Sequence, residues 1–340
     1  MTNENLFEKN GLYPVVTNSS TNNGVTGYTN LLPTEKGNMI TYSDTTTSDG
    51  IFYQPTDYVG YSHIQGLYPL IYKEKWKYKS LMYIVTCFRK VASGRFDYGN
   101  KFNRNIAKEM LIQLPTKDGE IDFEFMDAYI SELEEERISE LSAYLTVSGL
   151  DNYELSNEEK EALENLKLVQ WEEYNLEKLF GKSTRGKRLK SDDRINGSLP
   201  FVTAGEANTG ISDFIGNKVE VFSKNTITID MFGSAKYRNY NYGGDDHIAV
   251  VHTEKIKQES AIFITSAVHK SSYNGQFNYG RNFYAKDADT LNIMLPTKNN
   301  EIDFTYMELL ISAIKKLVIK DVVPYADKKI EATKKVISKN

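Results

Sequence analysis

Residues 94–131 read GRFDYGNKFNRNIAKEMLIQLPTKDGEIDFEFMDAYIS, and residues 275–312 read GQFNYGRNFYAKDADTLNIMLPTKNNEIDFTYMELLIS. At a constant offset of 181, 18 of these 38 positions carry the same residue, far more than two unrelated segments share. The match continues upstream, where Asn10–Thr17 corresponds to Asn196–Thr203. The chain is therefore a tandem duplication, and its function must account for two copies of one unit.

The composition is that of an ordinary globular protein. The chain has 340 residues, 40% hydrophobic and 26% charged, and this length suggests about two or three domains. It has no apolar run of the roughly 18–20 residues that a membrane span requires, and it opens without a signal peptide. We therefore expect a cytoplasmic protein with no membrane partner.

A single cysteine, Cys87, excludes an internal disulfide and a zinc site built from several thiolates. It lies within the apolar run Leu81–Phe88, so we expect a buried structural thiol rather than a nucleophile. The net charge of −5 argues against indiscriminate binding of polyanions. Acidic residues crowd residues 119–173, however, and basic residues gather in the flanking segments.

The first 117 residues have the texture of β structure. Short apolar and aromatic runs at Gly11–Val16, Met39–Tyr42, Gly50–Tyr53 and Leu81–Phe88 alternate with connectors rich in Asn, Thr, Ser and Gly. Such runs bounded by turn residues predict strands. Residues 171–300 repeat this texture, so we predict two β-rich globules.

A long amphipathic helix follows each globule. Asp122 can cap the first, which spans roughly 25 residues and about 37 Å and ends near Ser148. Ser156 begins a second, short helix, and Asp303 begins the long helix of the second copy. Pro324 must kink or interrupt that helix, because proline lacks an N–H and clashes with the preceding turn.

The predicted fold class is α+β, in the order globule, long helix, globule, long helix. The boundaries are 1–118 for the first globule, 119–169 for its helix and linker, 170–300 for the second globule and 301–340 for its helix. The two helices can pack as an antiparallel coiled coil that holds the globules apart by about one turn of duplex DNA, roughly 34–36 Å. Alternatively, each helix folds onto its own globule.

The sequence contains no phosphate loop, dinucleotide fingerprint or HExxH motif, so we predict no catalytic residues. Asp245, Asp246 and His247 resemble metal ligands, but adjacent residues on a strand point to opposite faces. We therefore expect them not to converge easily on one ion, we interpret Gly243–Asp246 as a turn, and we predict no metal site. The default is a binding protein.

The Gly, Phe and Tyr positions that recur in residues 94–102 and 275–283 are interpreted as framework that is unlikely to touch bases. The polar connectors differ between the copies, which is typical of two recognition modules on one scaffold. Arg and Lys neutralise phosphates or bind guanine, and Asn pairs with adenine, so these residue types suit DNA. Each of them taken alone is more simply a solvated loop residue. The candidate DNA-binding residues are Arg89, Lys90, Arg95, Lys101, Arg104, Lys187, Arg188, Lys190, Lys236, Tyr237, Arg238, Asn239, Asn241, Lys270 and Arg281.

Within that set, Lys236–Asn241 combines basic, aromatic and amide side chains in six residues and is the strongest segment. The apolar stripes of the two long helices supply candidates for binding a partner protein. These are Met126, Ile130, Leu133, Met307, Ile311 and Ile314.

The chain resembles the DNA-specificity subunits of type I restriction–modification systems, and especially those of type IIB, BcgI-like systems. Residues 171–180 (WEEYNLEKLF) with 186–189 (GKRL) look like the segment that leads into a recognition domain in that family. The twin Leu-Pro-Thr motifs, each followed by Glu-Ile-Asp-Phe, look like the passage into its conserved helix, and residues 148–163 are similar to the linker of the BcgI-like branch. The resemblance covers essentially the whole chain.

By this resemblance, the globules are target-recognition domains that read the halves of a split site in double-stranded DNA, and the helices set the spacing. The helices also dock a methyltransferase, or a fused nuclease–methyltransferase, and that partner brings S-adenosylmethionine and magnesium. The first copy departs from the pattern, because residues 1–9 contain neither the Trp-x-x-x-x-Leu motif nor the Gly-Lys-Arg-Leu run. We expect the first unit either to be trimmed or to receive that element from a partner chain.

Two other classes of function compete with this one. The Tyr- and Asn-rich β globules would suit a carbohydrate-binding or adhesion protein, but the acidic amphipathic helices and the missing secretion signal count against that class. A stand-alone nuclease would need spaced acids with a lysine on a sheet, and the sequence shows no such set.

Overall fold

The computed structural model describes residues 6–44, 48–97 and 99–337. The chain divides into two compact units, residues 1–141 with 329–340 and residues 142–328. Elements that begin in the first stretch are β1 Tyr13–Val16, β2 Val25–Thr29, β3 Met39–Ser43, β4 Phe52–Gln54, β5 Val59–Gly60, β6 Ile64–Leu67, α1 Tyr78–Ala92, α2 Arg104–Glu109, β7 Thr116–Lys117, β8 Glu120–Ile121 and α3 Phe123–Val147.

The second unit has more strands. Its elements begin with α4 Asn157–Glu164, β9 Gln170–Asn175, α5 Leu176–Phe180, β10 Thr184–Arg185, β11 Asn196–Val202, β12 Ile211–Ile215, β13 Val221–Phe222, β14 Thr226–Asp230 and β15 Ala235–Arg238. They continue with β16 Tyr242–Gly244, β17 Ile248–Val251, α6 Gln258–Ser272, α7 Ala285–Asp289, β18 Asn292–Lys298, β19 Glu301–Ile302 and α8 Phe304–Ile319. The last helix, α9 Val322–Ile337, begins in the second unit, and its residues from 329 onward belong to the first.

The sheet topology confirms the duplication. In the first unit, β1 pairs antiparallel with β2 and parallel with β5, and in the second unit β11 pairs antiparallel with β12 and parallel with β16. A second sheet repeats in the same way, with the order β4-β3-β6 in one unit and β15-β14-β17 in the other. The fold is therefore a mixture of helices and sheets in which one topology occurs twice.

One predicted strand is wrong. Leu81–Phe88 lies within helix α1, whose buried residues include Leu81, Val85, Phe88 and Ala92. Their spacing of four, three and four residues places them on one helical face, and they pack against Ile40 and Tyr42 of β3. A continuous apolar run does not distinguish a buried strand from a helix, and here the helical period decides. The same error hides α6 in the second unit.

The helix starts are confirmed. The Asp122 carboxylate accepts the Phe125 N–H at 2.9 Å, and Asp303 accepts the Tyr306 N–H at the equivalent place in the second unit. Ser156 caps α4 in a reciprocal bond with Glu159. The predicted interruption near Pro324 is confirmed too, since α8 ends at Ile319 and α9 begins at Val322.

Each unit has its own apolar core. The largest core of the second unit joins β14 and β17 to α6, β18 and α8, and that of the first joins β3 to α1. Cys87 on α1 is half-buried rather than buried, and burial raises the pKa of its thiol, which disfavours the thiolate. Among the described residues, no helix is both long and apolar enough to cross a membrane.

Candidate nucleic-acid interface

In the first unit, the candidate basic residues follow the C-terminal end of α1 and the loop that leads into α2. Lys90, Arg95, Lys101 and Arg104 are all exposed. Asn103 caps α2 by accepting the N–H groups of the two residues after Arg104, which fixes the loop against the helix. The result is an exposed cationic segment between two helices.

Arg89 is held more firmly than its neighbours. Its Nε donates to the Ile51 carbonyl at 2.7 Å, and its guanidinium carbon lies 4.7 Å from the Phe52 ring centre. Burial lowers the pKa of Arg89, although the charge of Asp49 opposes that shift. The guanidinium therefore joins α1 to β4, and only part of the side chain faces solvent.

In the second unit, a cationic loop follows β10. Lys187, Arg188 and Lys190 are exposed, and the nearest carboxylates of Glu220 and Asp246 lie 3.9 Å from Lys187 and Arg188. The loop is anchored beside them, because the Lys187 N–H donates to the Gly244 carbonyl at 2.9 Å. A Cβ on Gly186 would lie 1.9 Å from that carbonyl oxygen, so only glycine fits the first position of the Gly-Lys-Arg-Leu run.

The segment that the sequence favoured most, Lys236–Asn241, is largely interior. The Lys236 ammonium contacts Glu206 at 3.1 Å and Asp230 at 3.5 Å, and the Tyr237 hydroxyl donates to Asn225. Asn239 and Asn241 are exposed.

The structure does not support Arg238 as a DNA-binding residue. It is 1% exposed, and it donates from Nε to Thr228 Oγ1 at 2.9 Å and from Nη1 to the Thr209 carbonyl at 2.8 Å and the Tyr240 hydroxyl at 2.9 Å. Its donors are therefore directed into the protein, and it does not present them to a ligand in this structure.

A loop that the sequence assigned to scaffold is the best-exposed aromatic feature of the second unit. Residues 273–284 connect α6 to α7, and Tyr279 at the tip is 86% exposed. Its ring packs edge-on against Phe232 with the centres 5.2 Å apart. A shallow open pocket is lined by Tyr279, Gly280, Arg281, Asn282, Tyr284, Lys286 and Asp287.

This loop brings Arg281, an amide and two tyrosines together on an exposed surface. Arg281 packs over the Phe277 ring at 5.2 Å, while the remaining candidate Lys270 is exposed near the end of α6. Sequence reasoning found Arg281 but missed Tyr279 and Tyr284, because recurrence between the copies suggested a purely structural role. The counterpart of Tyr279 is Tyr98, which lies outside the described residues.

The prediction that Asp245, Asp246 and His247 cannot converge is wrong. They follow β16 in a turn, closed by the Ile248 N–H donating to the Asp245 carbonyl, and their ligand atoms all lie within 4.8 Å of one another. The sequence predicted a turn here, but the alternation of side chains along a strand, which was the reason for expecting no convergence, does not apply to a turn. Asp245 already accepts the Leu189 N–H, and Arg188 lies near Asp246, so part of this charge supports the cationic loop.

The six apolar candidates for partner binding differ in exposure. Met126 and Ile130 are buried in the first unit, while Met307 and Ile311 belong to the core of the second. The exposed ones are Leu133 on α3 and Ile314 on α8. These two side chains are the ones that a partner can reach without repacking.

Comparison with known proteins gives one match for each repeated unit. The family model for the type I restriction modification DNA specificity domain matches residues 1–143 and 169–324. The specificity subunit S.BcgI of the type II restriction enzyme BgcI of Heyndrickxia coagulans is 25% identical over 232 residues, which cover 67% of this chain and 64% of that protein. The chain thus spans less than two thirds of that relative's length.

A solved structure shares the fold. The crystal structure of the S subunit of the type I restriction-modification system from M. genitalium superposes with a TM-score of 0.52 and 17% identity, covering 99% of this chain and 89% of that one. The family model matches each of the two repeated units and, together, well over half of the chain. The chain therefore belongs to the type I restriction modification DNA specificity domain family.

Proposed function

We propose that this chain is the non-catalytic specificity subunit of a restriction–modification complex and reads a split site in double-stranded DNA. The observation that carries the proposal is that the two units share a fold but expose different side chains. Two of the sheets occur in both units, yet the first unit exposes Lys90, Arg95, Lys101 and Arg104, and the second exposes basic and aromatic side chains of the loops at 187–190 and 279–286.

The exposed residues fall into two functional groups. Lys90, Lys101, Lys187 and Lys190 are the proposed phosphate contacts, because ammonium groups neutralise the backbone without reading sequence. Arg281, supported by Tyr279 and the surrounding amides, is a proposed base-reading residue, because a guanidinium binds guanine through two hydrogen bonds. Arg238 is excluded from this interface by its burial.

The helices are the proposed means of spacing and assembly. Helix α3 has 25 residues, a length of about 37 Å at 1.5 Å per residue, and we propose that it and the α8–α9 pair form the spacer between the two recognition domains. A methyltransferase or a fused nuclease–methyltransferase docks on them, and S-adenosylmethionine and magnesium bind to that partner. The chemistry of methylation and cleavage then belongs to the partner.

Binding of the purified chain to DNA tests the interface. The target is the split sequence found by mapping methylated bases in the host genome. We expect Arg281→Ala to weaken binding by about 1–3 kcal/mol and to relax the preference in one half of the site. Lys187→Ala should weaken binding to all sequences alike and reduce the salt slope by about one.

Arg137→Ala is the matched control, since Arg137 is also exposed but forms ion pairs with Glu136 and Glu140 on α3. If neither Arg281→Ala nor Lys187→Ala differs from this control, the proposed interface is wrong. If the isolated chain methylates or cleaves DNA, the proposed non-catalytic role is wrong.

A further inference from the structure

The connector between α6 and α7 contains a tight turn with a two-residue tip. Asn278 and Arg281 exchange both backbone hydrogen bonds at 3.0 Å, so Tyr279 and Gly280 form the tip. The Asn278 side-chain oxygen also accepts the N–H groups of Gly280 at 2.8 Å and Arg281 at 3.2 Å. An asparagine that bonds the backbone two residues further on fixes such a turn locally. The tip is therefore shaped before any ligand binds.

Two phenylalanines anchor this turn in the core of the second unit. Phe277 and Phe283 are buried, and their rings meet edge-on with the centres 4.9 Å apart. The Phe283 N–H donates to the Met231 carbonyl at 2.9 Å. Because the chain is fixed on both sides of the tip, the turn cannot shift without disturbing the core.

The first unit contains the same turn. The Asp97 N–H donates to the Asn100 carbonyl at 3.1 Å, and the Asp97 carboxylate accepts the N–H groups of Gly99 at 2.7 Å and Asn100 at 2.8 Å. The flanking phenylalanines, Phe96 and Phe102, have their ring centres 5.0 Å apart. The two units thus build one turn from the same contacts.

Most of the residues that recur in this segment have a structural reason. Residues 94–102 and 275–283 share five positions, and two of these are the phenylalanines. The first residue of each segment is a glycine with positive φ, a conformation that favours glycine. The glycine of the tip is required as well, since a Cβ would approach the accepting side-chain oxygen to 3.2 Å at Gly280 and 3.3 Å at Gly99. The fifth shared position is the tyrosine of the tip.

Tyr279 makes little contact with its own chain. It is 86% exposed, the highest value of any tyrosine in the described ranges. Its ring meets Phe232 edge-on at 5.2 Å, and no other described residue forms a hydrogen bond with its hydroxyl. A tyrosine that recurs in a fixed turn but is not packed into the core indicates a role in binding.

We propose that Tyr279 is a wedge that opens one base step of the bound DNA by stacking on a base. This inference rests on the proposed function, because it takes duplex DNA as the ligand. Every base offers an aromatic face, so a stacked ring tolerates any sequence. Side chains inserted between base steps in this way kink the duplex.

Stacking also explains why the tyrosine recurs while its neighbours differ. Arg281 stands where the first copy has Asn100, and Asn282 stands where it has Lys101. Hydrogen bonds to base edges change from base to base, whereas stacking does not. The recurring residue therefore binds what the two halves of a split site have in common, and the residues beside it bind what differs.

The pocket beside the wedge supplies the other contacts that an opened step needs. It has a volume of about 400 Å³, and Arg281, Tyr284 and Lys286 line it together with Tyr279. Lys286 is exposed and lies over the Tyr284 ring at 5.9 Å, and we assign it to the phosphate of the opened step. Asp287, the one carboxylate in this lining, accepts the Tyr284 N–H at 2.9 Å and so caps α7.

The test measures stacking in the bound DNA directly. Duplexes with the split methylated sequence carry 2-aminopurine, a base whose fluorescence responds to the loss of a stacked neighbour, at one position at a time. We expect the purified full chain to change the fluorescence at least about twofold at one base step, and Tyr279→Ala to abolish that change. The isolated chain is used because a methyltransferase can itself extrude a base.

The same variant should weaken binding at least about fivefold, whichever base pairs occupy that step. Tyr279→Phe is the matched variant, because it keeps the ring and removes the hydroxyl, and it should retain both the fluorescence change and the affinity. Tyr273→Ala is the control for the loss of an exposed tyrosine. Tyr273 lies on the same connector, is 48% exposed and packs on His269, and its replacement should leave the fluorescence change and the affinity as in wild type.

Three results would overturn the wedge. Loss of the signal in Tyr279→Phe would assign the contact to the hydroxyl, and persistence of the signal in Tyr279→Ala would assign the opening to another residue. Specific binding by the wild-type chain with no fluorescence change at any position would also overturn it and would leave the proposed function standing. A wild-type chain that does not prefer the split site to an unrelated duplex overturns the proposed function itself.

Discussion

Arg238 connects three parts of the second unit through one guanidinium. Its donors reach Thr228 on β14, the Thr209 carbonyl and the Tyr240 hydroxyl. We expect Arg238→Ala to lower the free energy of unfolding by about 2–4 kcal/mol, because it removes these hydrogen bonds, leaves the buried Thr228 hydroxyl without this donor and opens a cavity. Urea unfolding of the full chain measures the loss.

Asn239→Ala is the appropriate comparison, since Asn239 is the next residue and is exposed. Its effect on stability should stay within about 0.5 kcal/mol. Equal stability of the two variants would show that the buried hydrogen bonds of Arg238 contribute nothing net.

The position of Arg238 also shows what residue types cannot reveal. The composition of residues 236–241 suits DNA, but the acceptor carbonyl of Thr209 lies 29 positions away in the sequence. Nothing local in the sequence distinguishes an arginine bound to a distant carbonyl from one that faces solvent. The opposite error occurred at Tyr279. Because a tyrosine occurs at this position in both copies, the sequence suggested a structural role, but the structure shows an exposed ring.

At the scale of elements, capping chemistry predicted helix starts well and apolar runs predicted helix or strand poorly. Asp122, Ser156 and Asp303 each accept a backbone N–H in the first turn, a local interaction that the sequence determines. Leu81–Phe88 required knowledge of its packing partner, because its helical face becomes evident only against β3. The pairing of β9 with β18 joins residues over 100 positions apart and follows from no local pattern.

Glu159 fastens α4 to α8 and gives this contact a pH dependence. Burial raises the pKa of Glu159, but hydrogen bonds from Ser312, Lys316 and the Ser156 N–H, with the charge of Lys316, outweigh burial, and the pKa lies below its ordinary value. A carboxyl whose pKa is lowered on folding stabilises the protein above its unfolded pKa, near 4.5. That stability is lost as the pH falls through the lower, folded pKa.

We expect Glu159→Gln to lower the free energy of unfolding by about 1–3 kcal/mol at pH 7. The difference from wild type should shrink as the pH falls below about 4, because the wild-type carboxyl then becomes neutral. Urea unfolding at several pH values measures it, with Glu161→Gln, an exposed residue of the same helix, as the control. A difference that is constant from pH 7 to pH 3 would rule out the ionised carboxylate as the cause.

At the scale of the whole molecule, the two copies share the central strands of two sheets and differ in the strands at sheet edges. Both units contain the three-stranded arrangement of two antiparallel strands and one parallel strand, and the second adds β9, β10 and β13 at sheet edges. Sequence identity between residues 94–131 and 275–312 was sufficient to predict the duplication, but it did not specify the order of the strands. The added edge strands were not predictable, because they depend on residues that the first copy does not repeat.

Two units with the same sheets but different exposed loops should recognise DNA independently. Changing Arg95 and Arg104 to alanine in the first unit should relax base preference in one half of the methylated sequence, and Tyr279→Ala with Arg281→Ala in the second should relax the other half. The reason is that contacts in separate units share no side chains, so their contributions to binding free energy add. Mapping of methylated bases in cells that carry each double variant with the proposed methyltransferase partner measures both halves at once. Relaxation of the same half by both variants would mean that one unit alone reads the sequence, and that the second copy of the fold serves assembly instead.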